Sequence, residues 1–206
     1  MAKNFTVSND SIASNPGNAI LNPFIWIKHD AKRVLLLFAL LAFSIVLLVI
    51  KSVWFGILAF ILLAVNVFYW LRKKEHFKSG DSNGGLVVSV NPTLVAVATD
   101  LTKGFGDYPV IKILEFKTLK NVSIGERIAT VALYKPSEDE SLPHWLDFEP
   151  LPLSFATTNP LVIKSALDSY SLEHWANIEQ KLTALQKPYS VGLYKSDIDQ
   201  SDWPKA

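Results

Sequence analysis

Residues able to do chemistry are few in this sequence, and their spacing is informative. The four histidines stand at positions 29, 76, 144 and 174. None falls in an HExxH motif or another metal-ligand spacing. His144 and His174 each precede a tryptophan, in HWLDFE and EHWAN. Together with Asp147 they have the side-chain types of a zinc site, but edge and packing roles carry more weight. The chain has no cysteine, which excludes disulfides, thiolate nucleophiles and cysteine metal sites. GxSxG, Walker and Rossmann patterns are absent from the sequence. KGFGDYP (103–109) contains a GxG, yet no helix follows it, so a phosphate cradle would lack its second half. It reads instead as a glycine-bearing turn that presents Phe105, Asp107 and Tyr108 to a ligand or partner, as loops often do. HWLDFEPLPL (144–153) places His144, Trp145 and Asp147 on a recognition ridge or on a sheet edge guarded by proline. Glu138, Asp139 and Glu140 read as a solvated loop. A membrane-surface enzyme built on Asp107, His144 and Asp147 would need those side chains to converge. The residues name no catalytic group, cofactor or metal, so an interaction or ligand-binding module outranks an enzyme.

The elements that position these residues divide sharply. Residues 1–79 carry nine Lys and Arg against three Asp and Glu, whereas residues 80–206 carry eleven against sixteen. The acidic second part argues against a nucleic-acid partner, which needs a basic footprint. Residues 34–71 are almost wholly apolar. As one helix they would run about 57 Å at ~1.5 Å per residue, far beyond the ~30 Å of a bilayer's hydrocarbon core. Two spans fit, 34–50 and 53–71, with Lys51 and Ser52 at the bend. A lysine at the bilayer centre would cost roughly 2.5–3.5 kcal/mol; at the interface its ammonium reaches water. Trp54 beside it suits the same surface. Lys28, Lys32 and Arg33 precede the first span, and Arg72, Lys73 and Lys74 follow the second. By the positive-inside rule both flanks, and so both termini, face the cytoplasm. Trp26, Tyr69 and Trp70 fall at that surface. Ser44 and Asn66 are the strongly polar side chains inside the spans. An interhelical hydrogen bond is the weightier reading of Asn66, and an oligomeric channel or transporter subunit the lesser one.

Residues 1–22, rich in Asn and Ser, read as a disordered tail. Asn22-Pro23 starts a short interfacial helix, so 23–78 forms the interfacial segment and hairpin. The turn-forming residues of 79–85 read as a linker. Residues 86–195 form a domain of short Val-rich strands followed by helices. Asn91-Pro92 turns between the first two strands, and Pro150 and Pro152, with Pro143 just before, demote 144–153 to an edge. Leu172, Trp175, Ile178, Leu182 and Leu185 make one apolar helical face, with Glu173, Glu179 and Lys181 elsewhere on its surface. Residues 196–206 are a polar tail. The fold class is therefore α+β: a two-helix transmembrane hairpin, then a small sheet or partly open barrel with C-terminal helices.

VVSVNPTLVAVATDLTKGFGDYPVIKI (87–113), GERIATVALY (125–134) and HWLDFEPLP (144–152) resemble a bacterial, membrane-anchored family described only as a domain of unknown function. The resemblance covers about residues 84–194. It implies a bacterial origin and carries no activity. The expected setting is the bacterial inner membrane, multi-pass, with the lipid bilayer and a protein partner or a second copy of the chain as partners.

Overall fold

The computed structural model of the chain describes residues 13, 15–102, 107–136 and 142–195. The first helix, α1 (Pro23–His29), starts where Asn22 accepts a hydrogen bond from the Phe24 N–H at 3.0 Å, with proline at its first position. Two long helices follow, α2 (Ala31–Ile50) and α3 (Phe55–Ser79). They lie antiparallel: the Tyr69 hydroxyl donates to Asp30 at 2.8 Å, and the Asn66 amide donates to the Leu37 carbonyl at 3.3 Å. Both are long and apolar enough to cross a membrane, with mean hydropathies of 2.9 and 1.9. Leu35, Phe43, Val49, Phe60 and Phe68 are exposed along them. The molecule's core therefore lies elsewhere.

Six strands make one antiparallel sheet: β1 (Asp81–Val90), β2 (Thr93–Asp100), β3 (Pro109–Glu115), β4 (Arg127–Lys135), β5 (Asp147–Pro152) and β6 (Gly192–Lys195), in the order β5-β4-β1-β2-β3-β6. A 3-10 turn (Leu153–Phe155) follows β5, and two helices, α4 (Pro160–Asp168) and α5 (Leu172–Thr183), precede β6. Side chains alternate across a strand, and here both sides are covered. Val95 and Val97 of β2 belong to a core with Trp26 of α1, Phe77 of α3, Phe148 and Phe155. Leu94, Ala96 and Ala98 belong to a second core with Trp175, Ile178 and Leu182 of α5. That double burial explains why β2 reads as a continuous apolar run.

The sheet curls into a half-barrel, and polar side chains hold the curl from inside. Lys112 of β3 reaches β5, a strand that is not its neighbour. Its ammonium lies 2.8 Å from both Asp147 carboxylate oxygens and 2.6 Å from the Phe148 carbonyl. Thr99 of β2 meets Tyr134 of β4 at 2.8 Å, and the Tyr134 hydroxyl donates to Asp81 at 3.2 Å. The α+β class, the apolar helical hairpin and the partly open barrel are thus as the sequence indicates. β5 is an edge strand, consistent with its prolines.

Several boundaries move. The apolar helices are longer than the 34–50 and 53–71 segments. α3 continues to Ser79 because its end is part of the domain: Phe77 is fully buried, and the His76 ring N–H donates to the Val131 carbonyl at 2.8 Å. The stretch expected as a linker is strand instead, since β1 begins at Asp81 and pairs with β4 from Asp81↔Ala132 onward. Residues 15–22 of the expected tail are placed on the domain. Gly17, Asn18 and Ala19 donate backbone hydrogen bonds to Gly80, Lys78 and Phe77, and Ala19 is buried. Leu172 is 82 % exposed, because α5 begins there, short of the sheet it packs on. Trp26, expected at a membrane surface, is buried against Phe77 and donates to the Tyr69 hydroxyl at 2.6 Å.

If Lys112 holds the curl, Lys112→Met leaves the Asp147 carboxylate short of its main partner. Removing one member of this half-buried pair costs about 2 kcal/mol, between the values for exposed and fully buried pairs, readable as a lower urea midpoint in detergent. The double variant Lys112→Met, Asp147→Leu should recover at least half of that loss. A single variant as stable as the parent would show that the bridge does not hold the sheet.

Candidate functional site

β2 ends at Asp100, and the chain turns before β3 begins at Pro109. Asp100 anchors the turn from within: one carboxylate oxygen accepts from the Thr102 N–H at 2.8 Å, the Thr102 hydroxyl at 2.7 Å and the Tyr108 N–H at 3.1 Å. On the same side of the sheet, α5 packs its Trp175, Ile178 and Leu182 over β2 and β3. Between those strand ends and the helix opens a cleft of about 560 Å³. Asp100 and Asp107 line it from the strand side, and Ser171, Glu173, His174, Asn177 and Lys181 from the helix side.

The seat of α5 depends on a missing side chain. A Cβ at Gly84 would stand 2.6 Å from the Trp175 ring and 2.7 Å from His174 Nε2. With none there, the Gly84 N–H donates to His174 Nε2 at 3.1 Å. That nitrogen is the acceptor, so the neutral ring carries its proton on Nδ1. The Gly84 carbonyl, 3.4 Å away, is what a protonated Nε2 would use. Burial lowers the His174 pKa, and the charge of Lys181 lowers it further; Gly84 and Asp81 oppose them.

Lys181 is the unusual member. It is 4 % exposed, and among the described residues its ammonium makes no hydrogen bond or ion pair. Burial pushes its pKa down to about 8, against the pull of the Asp100 and Asp107 carboxylates. Its stem is packed away while its ammonium opens on the cleft, and the partial loss of solvent around the charge costs stability.

The sequence put Lys181 on the helix surface; the structure corrects this. His174, Asn177 and Lys181 follow helical spacing, each one position before a member of the apolar stripe at 175, 178 and 182. That offset was the available signal, and the charge of lysine masked it. Of the residues singled out beforehand, Asp107 lines the cleft. Phe105 lies outside the described residues, as do Glu138, Asp139 and Glu140. Tyr108 stacks on His144 at 3.7 Å, with the Lys195 ammonium 4.9 Å from its ring. Trp145 is buried in the core, and Asp147 is held by Lys112. His144 turns its Nδ1 to the Trp145 carbonyl at 2.8 Å. Asp107 therefore shares the cleft with neither His144 nor Asp147, and among the described residues no three metal-ligating side chains converge. His29 stacks on Phe155 and meets Thr118 at 2.9 Å. Lys28, Lys32, Arg33, Arg72, Lys73 and Lys74 gather at the domain end of α2 and α3. There Arg33 lies 3.6 Å from Asp30, Arg72 pairs with Glu75 at 2.8 Å, and Lys73 sits over Trp26.

A family model described as "Protein of unknown function (DUF3239)" matches residues 71–186, more than half of the chain. The match takes in the end of α3, strands β1 to β5 and both later helices, hence every residue named at the cleft. No curated protein matches the chain. A crystal structure of a candidate membrane protein from Corynebacterium diphtheriae is similar, at 18 % identity, with 56 % of this chain and 99 % of that chain covered and a TM-score of 0.47.

Lys181→Met should raise the stability of the folded chain at pH 7 by on the order of 3 kcal/mol, since each unit of pKa displacement is worth about 1.4 kcal/mol. The sign follows from linkage. The folded-state pKa lies below the unfolded one, so the charged amine penalises folding below about pH 8, and the penalty fades as pH rises towards 10.5. Denaturant midpoints of parent and variant should converge over that window. For His174 the unfolded chain binds the proton more readily, so acidification below its ordinary pKa of 6.5 should destabilise the parent. His174→Gln should flatten that acid limb.

Proposed function

The chain belongs to that family of proteins of unknown function, and from this premise we propose that it is a bacterial inner-membrane protein holding a ligand-binding module at the cytoplasmic face. The observation that carries the reading is the passage of α3, without a loop, from an apolar helix into the core of the sheet. Its first part leaves large side chains such as Phe60 and Phe68 uncovered, and its last turn buries Phe77 completely. Apolar surface of that extent needs a non-aqueous cover, and the two helices have the length for a bilayer. The basic residues gather at the domain end of the hairpin, whereas the bend carries Lys51 alone. That asymmetry favours the cytoplasmic side for the domain.

The cleft beside α5 is the part of the module suited to a ligand. It is within the volume range of small-molecule sites, ~300–1,000 Å³, and of its polar groups Lys181 has no hydrogen-bond partner among the described residues. Asn66 supports a helix–helix contact rather than a pore. Its amide donates to the Leu62 carbonyl at 2.8 Å as well as to Leu37.

Because the chain has no cysteine, single cysteines can report topology cleanly. Ser52→Cys at the bend should react with a membrane-impermeant maleimide in intact spheroplasts. Gln180→Cys, exposed on α5, should react only after permeabilisation. The opposite pattern, or recovery of the whole chain in the soluble fraction, would overturn the placement.

A further inference from the structure

The two walls of the cleft differ in character. The α5 wall carries the Lys181 ammonium, the Asn177 amide and the His174 ring, with one carboxylate, Glu173, exposed on the same helix. The strand wall presents acceptors, the carboxylates of Asp100 and Asp107. The turn occupies one Asp100 oxygen three times over, which leaves the other for a ligand. Lys181 supplies the independent sign that something binds. It is buried, lines the cleft, and has no hydrogen-bond partner among the described residues.

We infer that this cleft binds a small zwitterion, a ligand that carries one acid group and one ammonium group, as free amino acids and short peptides do. An acid group set against Lys181 and Asn177 gives the ammonium, on which Asp100 and Asp107 act only from beyond ion-pair distance, a hydrogen-bonded counter-charge. An ammonium group set against Asp100 and Asp107 answers the facing carboxylates. A simple anion would satisfy Lys181 but face two carboxylates across the cleft. A simple cation would satisfy the carboxylates and leave Lys181 alone beside a second positive charge. A ligand bearing both charges resolves both walls at once. The open volume of about 560 Å³ leaves room for a side chain or a second residue.

This inference rests on the ligand-binding reading above, and one experiment separates the two. The full chain in detergent is titrated by calorimetry with the free amino acids and a panel of dipeptides. The best binder is then compared with its methyl ester, which lacks the acid charge, and with its desamino acid, which lacks the ammonium. We expect each to bind at least tenfold more weakly than the zwitterion. Lys181→Met should weaken binding at least tenfold without lowering the melting temperature. Asp107→Asn, at the exposed rim where folding is not at stake, should weaken it severalfold. Equal binding of the ester or of the desamino acid would overturn the zwitterion and leave a ligand site standing. Binding unchanged in both variants would place the ligand outside this cleft and overturn the inference too. No heat from any amino acid or dipeptide at millimolar concentration would also overturn it. If simple anions, amines and neutral metabolites then gave none either, the ligand-binding reading would fall with it.

Discussion

A lysine on one strand holds a carboxylate on a strand that is not its neighbour, with three strands of the same sheet between them. An antiparallel sheet of this size twists on its own, but twist alone does not bring β3 and β5 together. Lys112 does so by spending its ammonium on Asp147 and the Phe148 carbonyl inside the curl. The curvature then makes two different faces. The inner one closes over Phe77, Trp26 and Phe155 and receives the end of the apolar hairpin. The outer one is open enough for a single helix, α5, to lie across it. The end of the apolar hairpin and the cleft thus lie on opposite faces of one sheet.

The hydrophobic pattern carried most of the fold. Valine-rich runs marked β1 and β2, the segment ERIATVALY marked β4, the stripe at Trp175, Ile178 and Leu182 marked α5, and hydrocarbon thickness divided residues 34–71 into two helices. The errors share one cause: polar and small residues whose partners are distant in the chain. Ser82, Asn83 and Gly84 have the composition of a linker. They are strand because Tyr170 receives Ser82 at 2.7 Å, the Thr130 hydroxyl donates to the Asn83 carbonyl at 2.8 Å, and α5 needs the bare backbone of Gly84. Residues 15–22 look like a tail until the end of α3 offers them carbonyls. Non-local pairing of this kind leaves no local periodicity to read.

The site shows the same limit in sharper form. The loop before β3 drew attention in the sequence because it carries glycines and a mix of aromatic and acidic residues, and Asp107 lines the cleft. The facing wall was not legible. Lysine on a helix is normally solvated, and the offset of Lys181 from the apolar stripe is a faint signal against its charge. What distinguishes it is the curl of a sheet many residues earlier, which brings Asp100 and Asp107 opposite the helix. His144 and Asp147 drew attention by chemical type, yet their environment spends them on an aromatic stack and on the strap across the barrel.

The junction of α3 with β1, where Gly80 alone separates Ser79 from Asp81, has a further consequence. A domain on a flexible tether of ten Gly/Ser residues sweeps a radius of roughly 17 Å, and its encounter rate with other molecules reflects that volume. Here the sweep is nil. The sheet inherits the tilt and azimuth of the helix, so its cleft is held at a fixed height and bearing relative to the plane in which the hairpin lies. A rotation of α3 about its own axis would turn the opening by the same angle.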